Sequence, residues 1–237
     1  DVNAHYKLMN DIDLASFSNW QPIGNEEGEF YGYLDGNYHT INNLTISQSN
    51  SYFVGLFGSI NESPGIGSMK NRKGSNAEKV FTGEIKNLQI QNANIIGKEY
   101  VGILAGSIAN SHSIDSVHTS GNVVATSYSV GGIAGGIISS TINYCSNLGS
   151  VTGSSSTGGL TGFMESSTIT NSYFKGEIES NSYGTGGICG ELYTSNIENC
   201  FTAGTISSTF QVGGITGYSS GSSISNSCSS ADINIIE

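Results

Sequence analysis

The chain has 237 residues, of which 11% are charged, and a formal net charge of −11, with eight lysine and arginine residues against 19 acidic ones. So few bases exclude the dense basic face that binding to nucleic acid requires. No run approaches the ~18 apolar residues of a membrane span, and regularly spaced Ile, Val and Leu argue against disorder despite abundant Gly and Ser.

Residues 1–40 differ from the rest of the chain and predict a strand-rich cap that includes the first coil of a repeat. The sequence starts without methionine, so we expect a processed product or a fragment, and the lack of a signal peptide says nothing about localisation. The cap carries candidate calcium ligands, which are Asp11, Asp13, Glu26, Glu27 and Glu29. They lack the fixed spacing of an EF-hand loop, so we predict a solvated cap and no metal or other cofactor.

Residues 61–80 form an insertion that breaks the repeat and contains four of the eight bases. Its candidate ligand-binding residues are Lys70, Arg72 and Lys73. Insertions commonly emerge on the binding face of a solenoid. A solvated polar loop is the alternative interpretation.

A [VT]-G-x-[LI]-x-G segment recurs every 27–29 residues, opening at Val101, Val130, Thr157, Thr185 and Val212. A second element of each repeat starts at Ile114, Ile142, Ile169, Ile197 and Ile224, with earlier copies from Ile41 and Ile85, and a third apolar position follows nine residues after each later start. Short segments rich in Gly and β-branched residues favour strands over helices. The pattern predicts an all-β fold, a right-handed parallel β-helix (β-solenoid) of about seven coils of 27–29 residues, as one domain over residues 1–237.

Stacked coils place equivalent residues in ladders about 4.8 Å apart. Two positions after the second-element isoleucine stand Asn43, Asn87, Ser116, Tyr144, Asn171, Asn199 and Asn226. Five asparagines in seven predict an asparagine ladder at a corner, with ordinary turn-forming asparagines as the alternative. The repeated glycines are expected to make tight corners with positive φ and to let the backbone stack closely.

The four cysteines are expected to be free thiols. Cys145 and Cys200 lie two coils apart, roughly 9.6 Å by stacking, which exceeds the ~7 Å limit for a disulfide. The sequence alone does not determine whether Cys189, Cys200 or Cys228 forms a disulfide. The sequence contains no CxxC motif, so a zinc ribbon is not expected. No histidine is placed to activate a cysteine as a nucleophile.

Aromatic side chains are the candidate ligand-binding residues of the repeats. Tyr128, Tyr183 and Phe210 each precede the opening Val or Thr of a repeat by two positions. Tyr173 and Phe201 occupy equivalent sites on adjacent coils and are expected to face outward. Exposed aromatic rows suit sugar rings or protein partners, although stacked aromatics also stabilise solenoids that bind nothing.

The [VT]-G-x-[LI]-x-G and I-x-N-[CS] motifs resemble the GLUG motif of bacterial surface proteins. The run YKLMNDIDL…WQPIG…FYGYLDGNYHTINNLTI is similar to the segment that leads into such repeats, with Tyr38 at a position that is usually glycine. The resemblance implies a secreted or surface-anchored bacterial protein with a right-handed parallel β-helix, as in adhesin-like proteins and the non-catalytic parts of immunoglobulin A proteases. It brings no catalytic residues.

Other chemistry is weakly supported by the sequence. A phosphate-binding loop needs a helix after its glycines, whereas a further strand is predicted here. Glu177 and Glu179 flank Ile178 and should share one outer face. A glycosidase could use such a pair, but an exposed pair on a flat face is more often a solvated surface.

The leading hypothesis is therefore an extracellular, non-catalytic surface or adhesin-like binding or stalk module that contacts glycans or host proteins. One alternative is a polysaccharide-acting lyase or glycoside hydrolase on the same scaffold. Another is a structural or substrate-recognition region of a larger surface protease. We expect no nucleic-acid partner and no membrane insertion, and we expect end-to-end packing with a neighbouring domain or chain because the last coil has no evident cap.

Overall fold

The computed structural model describes residues 1–24, 28–61, 83–110 and 112–236, and every regular element in these ranges is a β-strand. The strands form a parallel β-solenoid of about seven turns, which confirms the predicted fold. Lys70, Arg72 and Lys73 of the insertion lie outside the described residues. Among the residues described, no helix is long and apolar enough to cross a membrane.

The strands of the described ranges fall on three faces, two of them six-stranded and one 17-stranded. The glycine face contains Tyr52–Val54, Glu99–Val101, Tyr128–Gly131, Ser155–Gly158, Thr185–Gly186 and Val212–Gly213. The groove face contains Phe57–Ile60, Ala105–Ala109, Ala134–Ile138, Thr161–Glu165, Cys189–Tyr193 and Thr216–Ser220. The broad face contains His5–Lys7, Ile12–Asp13, Tyr33–Asp35, Thr40–Asn42, Thr45–Ser47, Glu84–Gly97, Ser113–Ala125, Thr141–Asn143, Ser146–Asn147, Ser150–Gly153, Thr168–Thr170, Tyr173–Ser180, Asn196–Glu198, Phe201–Ser208, Ser223–Ser225, Cys228–Ser229 and Asp232–Ile235.

Isoleucine and valine ladders fill the interior. Ile114, Ile142, Ile169 and Ile197 pair in register through the broad face, and all four are fully buried. The N-terminal strands extend this face by one turn, because His5–Lys7 pairs with Tyr33–Asp35. Burial of aliphatic side chains at every rung, at about 1.5–3 kcal/mol for each residue, stabilises the stack.

The register of the earliest copies differs from the prediction. Ile41 pairs with Ile90, whereas Ile85 pairs with Leu34. A corner at Tyr38, which has a φ of 64°, explains the shift, because it separates two strands and leaves Leu34 in the first of them. The turn expected of glycine is therefore made here by tyrosine, and the two similar motifs are not stacked on each other.

The predicted asparagine corner is confirmed. The six predicted positions from Asn87 to Asn226 share this corner and have φ between 46° and 54°, a left-handed conformation that asparagine tolerates better than most residues. The seventh, Asn43, lies at a different corner, because Ile41 pairs with Ile90. Side-chain amides connect the coils, since Asn199 donates to Asn171 over 3.2 Å and Asn171 donates to Asn143 over 2.9 Å. The ladder continues to Asp115, which accepts from Asn143 over 2.8 Å. In the coil where Tyr144 is the corner residue, the amide ladder therefore runs through the preceding residue, Asn143.

The repeated glycines of the glycine face allow close stacking of the backbone, as predicted, but they do not make the predicted turns with positive φ. The φ angle is positive at Gly121 and Gly204 on the broad face, but not at Gly131 or its equivalents in the other repeats. A Cβ atom at Gly131 would overlap the backbone of Ala134 and lie 2.5 Å from the Cα of Thr161. Close approach of neighbouring coils, rather than turning, therefore requires glycine there.

Candidate ligand-binding groove

Tyr173 and Phe201 lie on the outside of the broad face, as predicted. They pair in register, and 40% and 39% of their surface is exposed. Their neighbours in the same ladder are Ser146 and Cys228. The two rings therefore form an isolated pair on a flat sheet and not a longer aromatic row.

Tyr128, Tyr183 and Phe210 are also exposed, at the corner that leads into the glycine face. Their ladder is interrupted by Glu99 and Ser155, since Tyr52 pairs with Glu99 and Tyr128 with Ser155. A hydrogen bond to the carboxylate of Glu99, which is only 8% exposed, raises the pKa of Tyr128 to about 12. This corner is therefore a mixed aromatic and acidic edge and not a continuous aromatic row.

A groove of about 400 Å³ opens beside this corner. Its lining combines aromatic rings, six serines and one carboxylate: Tyr100, Tyr128, Phe163, Tyr183, Ser127, Ser129, Ser154, Ser155, Ser156, Ser182 and Glu191. Phe163 and Glu191 stand in register on adjacent strands of the groove face. The groove brings together two of the sequence-predicted aromatics, Tyr128 and Tyr183, and leaves Tyr173 and Phe201 on another face.

Ring contacts organise the groove. Tyr100 stacks on Phe53 with centroids 5.0 Å apart and meets Tyr128 edge-on at 5.9 Å. Its ring lies over Gly136, where a Cβ atom would come within 3.1 Å of it. A second row runs from Phe163 through Tyr193 to Tyr218, with centroids 5.6 and 5.5 Å apart. Sequence analysis missed these rings because residues that are not aromatic take their places in neighbouring repeats, for example Gly136 for Phe163 and Glu165 for Tyr193.

Glu191 is held in place by two neutral donors. The Ser156 hydroxyl donates to Oε1 over 2.6 Å, and the Tyr193 hydroxyl donates to Oε2 over 3.0 Å. Burial, together with this hydrogen bond, raises the pKa of Tyr193 to about 12. Tyr193 therefore remains a hydrogen-bond donor at neutral pH, and the carboxylate is oriented by groups that do not neutralise it.

A second groove, of about 380 Å³, shares Tyr100 with the first. Glu29 is part of its lining, and its carboxylate accepts from Ser59 over 3.0 Å and from Asn61 over 2.7 Å. Ser59 and Glu191 belong to one groove-face ladder, four coils apart, which at ~4.8 Å per coil is about 19 Å. We call the two grooves together the aromatic track.

The cysteines offer no reactive site in the interior. All four are free, and three are buried while Cys228 is exposed. Burial raises the pKa of the Cys145 thiol to about 12 and raises that of Cys189 as well. A thiol so far from ionisation is a poor nucleophile, because the thiolate is the reactive form.

One thiol of the folded protein is therefore expected to react with a disulfide reagent at pH 8, and all four after denaturation. Cys228→Ser should remove the fast reaction and leave the three slow ones. A thiol titration with and without guanidinium measures both numbers. Fast reaction of two or more thiols in the native Cys228→Ser variant would contradict the packing described above.

The described residues contain no group of three or more His, Cys, Asp or Glu side chains arranged to hold a metal ion. In the cap, Asp13 accepts a hydrogen bond from Asn43 over 2.8 Å, and Glu29 belongs to the aromatic track. Glu26 and Glu27 lie outside the described residues.

Comparison with known proteins supports the fold and a distant relationship to two longer chains. No protein-family profile matches. Halomucin of Haloquadratum walsbyi is 33% identical over 146 residues, which are 58% of this chain and 1% of halomucin. A candidate Gly-rich membrane protein of Evansella cellulosilytica is 35% identical over 63 residues, which are 24% of this chain and 7% of that protein.

A solved structure has the same fold. The crystal structure of a candidate immunoglobulin A1 protease from Bacteroides ovatus superposes with a TM-score of 0.70 over 98% of this chain and 71% of the other, at 21% sequence identity. This similarity establishes a shared β-solenoid scaffold. The chain spans only a small part of the two curated relatives that it matches.

Proposed function

We propose that the chain is a non-catalytic binding module of an extracellular, cell-surface protein, and that its aromatic track binds glycans. The observation that carries the proposal is the groove in which Tyr100, Tyr128 and Tyr183 stand among six serine hydroxyls. Aromatic faces pack against the apolar faces of sugar rings, and hydroxyl groups exchange hydrogen bonds with those of a sugar. A rigid solenoid presents both without rearrangement, which lowers the entropic cost of binding.

The surface location in this proposal rests on the resemblance to GLUG repeats and on the similarity to halomucin. The shared scaffold with the candidate immunoglobulin A1 protease also fits a substrate-recognition or spacer region within a larger surface protease. In either protein the module would bind a ligand or act as a rigid spacer, and it would not catalyse a reaction. End-to-end packing of its terminal coils against neighbouring domains belongs to the same proposal.

A second candidate function, hydrolysis or elimination of a polysaccharide, is favoured by one feature of the broad face. Glu177 and Glu179 are both exposed beside a groove of about 480 Å³, and alternate residues of a strand lie about 6.6 Å apart. A glycosidase pair needs two carboxyl groups ~5–9.5 Å apart. Release of reducing sugar that is lost in Glu177→Gln and Glu179→Gln would establish this function instead.

A glycan array tests the binding proposal. The wild-type chain is expected to retain a set of glycans that the double variant Tyr128→Ala/Tyr183→Ala loses by tenfold or more in affinity. The matched control is Tyr173→Ala/Phe201→Ala, which removes two exposed rings of the broad face and should bind like wild type. Loss of binding in the control, with retention in the groove variant, would refute the groove as the site.

A further inference from the structure

In the part of the chain that the structure describes, the lining of the aromatic track combines rings with carboxylates and contains no base. Glu191 and Glu29 are each oriented by neutral hydroxyl or amide donors. Among the described residues, neither groove is lined by a lysine or an arginine. Neutral donors fix a carboxylate without cancelling its charge, so the described lining of the track is negative, on a chain whose net charge is already −11.

Further acidic character lies along the first groove. Glu99 is buried behind Tyr128. The nearby base Lys98 contacts Tyr52 of the same ladder, with its Nζ 2.7 Å from the Tyr52 hydroxyl and 4.6 Å from the Tyr52 ring centroid, and it lines neither groove. Charge complementarity therefore opposes uronates and sulfated or sialylated sugars in the track, and it favours a ligand that carries positive charge.

The rings restrict the ligand further. A cation within about 6 Å of an aromatic face is attracted by the ring quadrupole, and the same faces pack against sugar rings. An amino sugar satisfies both requirements, because it has an apolar ring face and a protonated amine. The distance from Ser59, which holds Glu29, to Glu191 is about 19 Å over four coils, which suits an oligosaccharide rather than a monosaccharide.

We infer that the aromatic track binds an oligosaccharide of 2-amino-2-deoxyhexoses with free, protonated amines, whose rings lie on Tyr100 and Tyr128 and whose amines pair with Glu191 and Glu29. The inference rests on the proposed glycan binding and adds the chemical class of the glycan. Its distinguishing element is charge, since N-acetylation keeps the sugar ring and removes the cation.

Calorimetric titration of the full chain at pH 6 tests this, with a glucosamine tetramer and its fully N-acetylated form as probes. The glucosamine tetramer is expected to bind at least tenfold more tightly than the N-acetylated one. Glu191→Gln should reduce this preference, since Glu29 remains, while leaving the weaker binding of the neutral tetramer unchanged. Glu198→Gln, which removes an exposed carboxylate of the broad face, is the matched control and should behave as wild type, and a thermal melt checks that each variant folds.

The salt dependence of binding is a second, independent test of the expected ion pairs. Because the expected ion pairs are exposed, raising NaCl from 50 to 500 mM should weaken binding of the glucosamine tetramer and leave that of the neutral tetramer nearly constant. Equal binding of the two tetramers, or an unchanged preference in folded Glu191→Gln, would overturn the inference and leave the proposed glycan binding standing. Failure of the wild type to bind any glycan, on the array or by titration, would overturn both.

Discussion

Gly176→Ala is expected to disrupt the middle of the solenoid. Gly176 follows Gly149 and precedes Gly204 in a broad-face ladder, and a Cβ atom at Gly176 would overlap the carbonyl group of Gly149 one coil below. A clash with backbone cannot be relieved by rotating a side chain, so the coils must separate locally. Overpacking typically costs 1–3 kcal/mol and occasionally more, and we expect at least about 3 kcal/mol here.

Guanidinium unfolding followed by circular dichroism measures this effect. In a solenoid each coil contacts only its neighbours, so a defect in a central coil also reduces cooperativity and should broaden the transition. Lys175→Ala, at the adjacent exposed position, is the matched control and should change stability by less than about 0.5 kcal/mol. A Gly176→Ala protein with the transition midpoint of the control would show that the stacking distance is wrong.

Phe174→Ala is the second substitution with a large expected effect. Phe174 is fully buried, and its ladder neighbours on the two adjacent coils are the smaller polar residues Asn147 and Thr202. Its ring fills space left by Gly159, where a Cβ atom would overlap it. Truncation of a buried phenylalanine costs about 3–5 kcal/mol through lost burial and the remaining cavity.

The matched control for this substitution is Phe201→Ala, which removes an exposed phenylalanine from the next coil. Thermal unfolding should show a large loss of stability for Phe174→Ala and a small one for Phe201→Ala. Similar losses in the two variants would mean that the side of the strand facing the interior has been assigned incorrectly.

The architecture was predictable because it depends on a period that the sequence repeats. Once Ile114, Ile142 and Ile169 recur at 27–29 residues, parallel stacking fixes the buried ladders and the outward direction of Tyr173. The prediction aligned Ile41 with Ile85 because the motifs around them are similar in sequence, whereas the structure pairs Ile85 with Leu34. Tyr38 in a left-handed conformation moves Ile41 into the second strand of its coil, which no motif comparison reveals.

The candidate site was predictable only in part. Tyr128 and Tyr183 were recognised by their position before the repeated glycine segment, whereas the ladders of Tyr100 and Phe163 are interrupted by residues that are not aromatic, such as Ser129 and Gly136. Glu191 lies between Tyr193 and Ser156, and Ser156 is 35 residues earlier in the chain. The role of Glu191 depends on contacts with residues at other positions of the repeat and on the outer face to which each of them belongs. An alignment of the repeats shows neither.

The location of a bound glycan tests the central claim most directly, namely that the glycines build the scaffold while the groove face binds the ligand. A crystal structure of the chain with the glucosamine tetramer measures it. We predict sugar rings against Tyr100 and Tyr128, with an amine beside Glu191. A tetramer seated on Tyr173 and Phe201 of the broad face, or on the bases of residues 61–80, would contradict the account.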